Sequence, residues 1–467
     1  MVSGLTARHG GRLGLCALVA VLLLGLGLRV GEAWDGRAPV YDAKAYAAIA
    51  ANLERGEGFT VGPGATQPSS NYSPGLPLFV AGIYKVSGGV HEQLARIVLA
   101  LIGTLSVLFA YLIGRRLARP LPNRPSSSEV RFAGVAPALI GALVVAIYPA
   151  LLEYQGMLMS EPLAATLLSG GVLGVLWAWD GGRWRWLLPG VLFGALALTR
   201  PEYLAIGGLV ALVVFAREAR DDWRSSLVRA AIFLLGLVVV VAPWTVRNAV
   251  ALERFVPIST GGGQVLFAGT YLPSDGDPEK VGAEVVAENP DLFQSQDAQN
   301  LRLEQILARL ADDRYPGMET DQALSKLGKE QLWDDVSEEP VEYAGFVATK
   351  VWRIWSHGPR DVMREPVWEV LHWLLVAFGL AGLAILAWQR RWEALLIGTI
   401  FLAITAVSAL LVASPRRVLV LVPLLASLAT AGLAWLAPKT QRSLNSRRYS
   451  AQNSANAPAD TDSLGAP

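Results

Sequence analysis

The chain has 467 residues, of which 53% are hydrophobic and 17% are charged, and its formal net charge is +1. Apolar runs of membrane-spanning length recur along it, which is typical of a polytopic helical membrane protein and excludes a protein that is soluble and globular as a whole. The near-zero net charge gives no indication of nucleic-acid binding. The single cysteine, Cys16, excludes both a disulfide framework and a thiolate metal cluster.

About ten apolar segments are predicted to cross the membrane, since a spanning helix needs roughly 20 residues. They lie near residues 13–30, 93–113, 132–149, 162–179, 186–200, 203–216, 226–245, 366–388, 393–413 and 416–437. The segments 186–200 and 203–216 are short, and the turn 200–202 between them is expected at or partly within the membrane. Residues 76–86 are too few to span, so they fit a surface or re-entrant helix better.

The distribution of Lys and Arg predicts the orientation, because positively charged loops stay on the cytoplasmic side. Arginines precede the first span and fill every second connection, including 114–131 and 217–224. Both termini are therefore expected in the cytoplasm. The first apolar run of about 18 residues lacks a small-x-small cleavage site, which favours a retained anchor over a signal peptide.

This orientation divides the chain into four parts. They are an N-terminal transmembrane module (1–248) with its first external loop (31–92), an external soluble domain (249–365), C-terminal transmembrane helices (366–438) and a disordered cytoplasmic tail (439–467). The external domain is polar with Asp/Glu-rich stretches, and a small α/β or mixed fold is expected for it. The tail composition, rich in Ser, Ala, Asn and Asp, is typical of disorder.

The first external loop contains a predicted helix that starts at Asp42 and runs to Leu53. Tyr46, Ile49, Ala50 and Leu53 form an apolar stripe with helical spacing. A carboxylate at a helix start caps free N–H groups and is favoured by the helix dipole, so capping is the simplest role for Asp42. The alternative is catalysis, since a charged residue at the mouth of a membrane bundle is a functional-site candidate.

Several motifs follow one another in a characteristic order. They are Asp-x-x-x-Tyr at 42–46, Gly-x-Gly-Phe at 56–59, Tyr-x-Pro-Gly-x-Pro-Leu at 72–78, Leu-Thr-Arg-Pro-Glu at 198–202, Pro-Trp-x-x-Arg-Asn at 243–248, Pro-Ile-Ser-Thr-Gly-Gly-Gly at 257–263 and Pro-Arg-Arg at 415–417. In this order they resemble the membrane glycosyltransferases of the GT-C superfamily, in particular the family 39 and aminoarabinose-transferase type. That type uses polyprenyl-phosphate sugars as donors.

The resemblance implies an all-α bundle of about ten transmembrane helices with external loop helices. Such enzymes place a carboxylate in the first external loop as general base for the acceptor, and Asp42 matches it. An acidic residue also recurs at the position of Glu161, where it would orient the acceptor or hold a metal; its alternative role is a charge at a helix start before proline. Ala43 and Ser73 stand where relatives often keep Glu and Lys, so this chain is not the aminoarabinose or protein-mannosyl enzyme itself.

Breaking the bond between a sugar and a phosphate requires stabilisation of the phosphate charge, which Arg provides through its planar fork. Arg247 and Arg200 are the first candidates, followed by Arg416 and Arg417. The alternative for each arginine is snorkelling to the headgroup region. The full set of predicted substrate-binding residues is Tyr46, Tyr72, Arg200, Glu202, Arg247, Arg416 and Arg417. The four histidines show no paired ligand spacing, so neither a metal nor another cofactor is expected.

The sequence thus predicts an integral cell-membrane glycosyltransferase. It would move a sugar from a polyprenyl-phosphate donor to a glycan, lipid or protein acceptor on the external face, with Asp42 as the base. One alternative is a transporter or flippase of lipid-linked glycans, which should show ionisable residues near mid-span or broken helices in matched halves. Charges here collect at the outer ends instead, which favours transfer. The other alternative is a non-catalytic relative.

Overall fold

A computed structural model describes residues 2–35, 39–40, 42–62, 64–119, 135–277, 279–293 and 301–436. The predicted tail at 439–467 lies outside these residues. The helices are α1 (Val2–Trp34), α2 (Asp42–Arg55), α3 (Gly75–Ser87), α4 (Glu92–Leu117), α5 (Val135–Ile147), α6 (Pro149–Gly156), α7 (Ser160–Ala178), α8 (Leu187–Thr199), α9 (Glu202–Leu252), α10 (Gly262–Thr270), α11 (Val281–Glu288), α12 (Leu303–Arg314), α13 (Thr320–Glu338), α14 (Pro340–Ser356), α15 (Pro366–Trp388), α16 (Trp392–Leu410), α17 (Arg416–Leu419) and α18 (Val422–Leu436). No strand occurs among the described residues.

Six helices in the described ranges are long and apolar enough to cross a membrane: α1, α4, α7, α9, α15 and α16. The pair α5–α6, bent by 41°, makes a seventh span if it is counted as one. The helices α3 and α18 are apolar but shorter. The predicted multi-pass all-α class is therefore confirmed, whereas the count of ten spans is not.

Helix α9 folds back on itself. Its one non-helical residue is Asp222, with φ −148° and ψ 85°. A Cβ on Gly207 would lie 2.5 Å from Cδ1 of Leu237, although a straight helix would separate these residues by about 45 Å. The chain therefore reverses near Asp222. The two antiparallel arms coincide with the predicted segments 203–216 and 226–245.

Helix α18 lies in the centre of the bundle despite its 15 residues. It packs against α15 so closely that a Cβ on Gly382 would lie 2.0 Å from the carbonyl oxygen of Leu428. Ser427 donates to the carbonyl of Ala110 on α4 at 3.1 Å. Small residues permit such close helix contacts in membranes. This packing holds the short α17, and with it Arg416, at one end of the bundle core.

The polar segment 249–365, which the sequence predicts to be external, corrects one expectation, since its described residues form helices and not an α/β or mixed fold. Helices α10 to α13 share a small core that includes Phe267, Tyr271 and Leu307. The reason is composition, because Ala, Leu, Glu, Gln and Lys dominate α12 and α13 and all favour helix. Lys350 of α14 anchors the segment to the bundle, donating from Nζ to the Ala409 carbonyl at 2.6 Å.

Candidate functional site

The first part of the site is the start of α2. Asp42 is the first residue of this helix, and its Oδ2 accepts a hydrogen bond from Nη1 of Arg416 at 3.0 Å. One turn later Tyr46 is buried, and its ring meets that of Tyr72 edge-on at 5.7 Å between centroids. Burial, reinforced by the charges of Asp42 and Glu161, raises the pKa of Tyr46. Its phenol therefore stays protonated beside the two carboxylates.

The second part is Glu161, in the first turn of α7. The turn before it includes Leu158, a buried residue whose φ of 56° is strained for a side chain of this size. Glu161 is fully buried. Its Oε1 accepts from Nε of Arg416 at 2.6 Å and from Nη1 of Arg200 at 3.3 Å, while Oε2 finds no partner among the described residues.

The third part is the turn between α8 and α9. Arg200 donates from Nε to Oε1 of Glu202 at 3.0 Å. The Nε of Arg417 lies 4.0 Å from the same oxygen, and its Nη1 donates to the Val412 carbonyl. Both arginine side chains are largely buried, with exposed fractions of 13% for Arg200 and 11% for Arg417.

These contacts form one chain of alternating charges, which we call the charge network. Its members in order are Asp42, Arg416, Glu161, Arg200, Glu202 and Arg417. Three carboxylates balance three guanidiniums, as burial of ionised groups requires. Burial opposes the charge of Arg416, but Glu161 and Asp42 outweigh it and raise its pKa. The fold thus joins six of the predicted site residues across four elements of the chain.

Gly75 allows the loop 31–92 to pack closely beside the charge network. A Cβ on Gly75 would lie 2.4 Å from Oγ1 of Thr199 and 2.7 Å from the Thr199 backbone nitrogen. The start of α3 therefore rests directly on the end of α8, next to Arg200. The sequence places Gly75 in the motif Tyr-x-Pro-Gly-x-Pro-Leu at 72–78, but the motif alone does not reveal this contact.

Arg247 occupies a different position from the other predicted phosphate ligands. It donates to the carbonyls of Ser69 at 2.9 Å and Phe59 at 3.3 Å. Its guanidinium carbon lies 4.9 Å from the centre of the Trp244 ring. These contacts tie the first external loop to the end of α9. The structure does not bring Arg247 into the charge network, so its phosphate role stays a prediction.

Two open volumes border the charge network. The first, which we call the external cavity, has a volume of about 930 Å³ and is lined by Tyr154, Met159, Arg360 and Arg416 among others. The second, the apolar groove, has a volume of about 880 Å³ and runs between α4, α7 and α8. Its lining extends from Arg119 at one end to Thr199 at the other, which is the residue before Arg200.

The segment around Arg360 borders the site, whereas the sequence indicates Arg360 only as one of several outward-facing cations. Arg360 has a φ of 84°, which is unusual for a residue other than glycine. It lines the external cavity and pairs with Oε1 of Glu153 at 2.5 Å. Tyr154 follows Glu153 in the chain, and the centre of its ring lies 5.7 Å from the guanidinium carbon of Arg416. The sequence signal for this segment is the Gly358-Pro359 pair, which indicates a tight turn.

Within the described ranges, no group of three His, Cys, Asp or Glu side chains could hold a metal ion.

The fold has solved counterparts. The archaeal oligosaccharyltransferase AglB from Archaeoglobus fulgidus, in complex with an inhibitory peptide and a dolichol-phosphate, matches with a TM-score of 0.52 and 15% identity over 97% of this chain and 52% of that one. The apo form of the Archaeoglobus fulgidus oligosaccharyltransferase matches with a TM-score of 0.52 and 16% identity, over 97% and 53%. The chain thus spans about half the length of these neighbours. At such identities the likeness shows the fold, and it confirms the predicted GT-C type architecture.

A further match is weaker. ArnT from Cupriavidus metallidurans bound to undecaprenyl phosphate gives a TM-score of 0.38 and 15% identity, over 90% of this chain and 76% of that one. No protein-family model and no curated protein sequence matches the chain.

Proposed function

We propose that the protein is a membrane glycosyltransferase that moves a sugar from a polyprenyl-phosphate donor to an acceptor on the external face. One observation carries the proposal: the charge network lies between the apolar groove and the external cavity. Arg200 follows Thr199, which lines the groove, and Arg416 lines the cavity. Glu161 contacts both arginines. A lipid tail in the groove would therefore deliver its phosphate to the arginines that border the acceptor space.

The dimensions of the apolar groove support a lipid tail. Its lining runs along α4 from Ile102 to Arg116 and reaches Arg119 just beyond the end of the helix, a length of about 25 Å. This is close to the hydrocarbon thickness of a bilayer, roughly 30 Å. The side chains between these ends are mainly Leu, Phe and Gly. An isoprenoid chain can lie there without leaving a polar group unpaired.

The reaction then needs two protein contributions. Asp42 accepts the proton of the acceptor hydroxyl while that oxygen forms the new bond to the anomeric carbon. The bond between this carbon and the phosphate oxygen breaks, and its electron pair leaves with the lipid phosphate. Arg416 and Arg200 stabilise the added charge on the phosphate. The acceptor, whether glycan, lipid or protein, occupies the external cavity.

The test is turnover of labelled polyprenyl-phosphate sugars by the purified protein in nanodiscs. Asp42→Asn should lower turnover by about 10²–10⁴-fold, the usual contribution of a general base. Glu57→Gln is the matched control, because Glu57 pairs with Arg55 on the surface of the same loop, and it should retain wild-type turnover. If no donor sugar is consumed by the wild type, the proposed function is wrong. If Asp42→Asn keeps full turnover, the assignment of the base is wrong.

A further inference from the structure

We infer that Arg416 is shared between the base and the donor: it holds Asp42 in the resting protein, and the donor phosphate takes it over and frees the base. This inference rests on the proposed function and concerns the regulation of the same site. It makes the base available only when a donor is bound. The contacts of the three guanidinium nitrogens carry the argument.

Arg416 is anchored on one side and exchangeable on the other. Its Nε donates to Glu161, whose side chain has no exposed surface. Its Nη1 donates to Asp42, and this contact is reached by solvent, since Arg416 is 31% exposed and Asp42 is 38% exposed. Its Nη2 hydrogen-bonds to no described residue. The Glu161 contact therefore orients the guanidinium, and the Asp42 contact is the one that an incoming anion meets.

A phosphate and Asp42 compete for the same edge of this guanidinium. Arginine binds phosphate most favourably through two parallel hydrogen bonds. With Nε committed to Glu161, the available pair is Nη1 and Nη2, and Nη1 already belongs to Asp42. Two anions on one edge also repel each other. Binding of the phosphate through both nitrogens thus requires Asp42 to release Nη1.

Release changes what Asp42 can do. While Arg416 donates to Oδ2 of Asp42, it occupies a position from which the acceptor hydroxyl would have to donate to that oxygen. Once released, Asp42 can take the proton of the acceptor hydroxyl. Transfer turns the phosphodiester of the donor into a phosphate monoester with a greater negative charge, so the hold of Arg416 on the phosphate strengthens as the bond breaks. After the lipid phosphate leaves, Asp42 regains Arg416.

The test measures the affinity for polyprenyl phosphate, without a sugar, in nanodiscs. Asp42→Asn removes the competing charge and should tighten binding by about tenfold, although the same variant is expected to have a strongly lowered turnover. Asp361→Asn removes an exposed carboxylate at the rim of the external cavity that pairs with Arg364, and it should leave the affinity within about twofold.

A double-mutant cycle separates competition from a general effect of charge. In an Arg416→Gln background, Asp42→Asn should no longer tighten binding, because there is no shared guanidinium. If that background does not fold, Arg416→Lys replaces it: a single ammonium lacks the planar fork, so the gain from Asp42→Asn should shrink.

The outcomes distinguish the two proposals. Absence of polyprenyl-phosphate binding to the wild type overturns the donor class and the proposed function with it. Binding to the wild type with equal affinity for Asp42→Asn overturns the shared arginine and leaves the function standing. Tightening that persists undiminished when Arg416 is replaced also overturns it, since the effect is then one of charge alone.

Discussion

Replacing Glu161 with glutamine tests whether the charge network holds the site together. The carboxylate is fully buried and contacts Arg416 at 2.6 Å and Arg200 at 3.3 Å. Glutamine keeps the shape and one accepting oxygen, but it leaves each guanidinium with a single countercharge, Asp42 or Glu202. Breaking a buried ion pair costs about 3–5 kcal/mol. Because both arginines keep one partner, we expect about 3 kcal/mol.

The assay is thermal unfolding in nanodiscs, with Glu57→Gln as the matched control. Glu57 pairs with Arg55 where the side chains are 40% and 44% exposed, and such a surface pair contributes only about 0–1 kcal/mol. We expect a clear fall in the melting temperature for Glu161→Gln and almost none for Glu57→Gln. If the two variants melt together with the wild type, the buried network does not stabilise the bundle and this reasoning is refuted.

Three further predictions concern the surroundings of the site. Gly75→Ala should destabilise the protein by about 1–3 kcal/mol, because the added Cβ would overlap α8. Gly82 lies on the same helix, but a Cβ there would meet open space. In the same melting assay, Gly82→Ala should therefore be neutral or slightly stabilising. Leu105→Trp should fill the apolar groove and weaken polyprenyl-phosphate binding in a titration, while Leu101→Trp, exposed on α4 outside the groove lining, should not. Burial, and to a lesser degree the charge of Arg417, lowers the pKa of Lys350 to about 8. Between this pH and the ordinary pKa of lysine, the unfolded chain binds more protons than the folded protein. The melting temperature of the wild type should therefore rise with pH across this range, compared with that of Lys350→Met. A parallel pH dependence of the two proteins would contradict the last prediction.

The sequence was informative about properties that depend on neighbouring residues. Apolar runs identified the membrane class, because each spanning helix must satisfy its own backbone and is therefore readable from its own segment. The spacing of Tyr46 and Ile49 identified α2, and Asp42 does begin it. The order of short motifs predicted the GT-C type architecture that the solved neighbours confirm. The α/β or mixed fold expected for residues 249–365 is wrong, because the Ala, Leu, Glu, Gln and Lys residues of this polar segment favour helix.

Which charges meet depends on the packing of helices that are distant in the chain. The sequence pattern favours Arg247 over Arg416 as a phosphate ligand, but both stand at helix ends and the local pattern does not distinguish their surroundings. Packing sends Arg247 to backbone carbonyls of the first loop and places Arg416 between Asp42 and Glu161, 374 and 255 residues away in the chain. Hydrophobic periodicity is a local property, whereas an ion pair depends on how helices distant in sequence pack. The sequence alone therefore indicates a membrane bundle with charges at helix ends, and the fold brings these charges into one connected network.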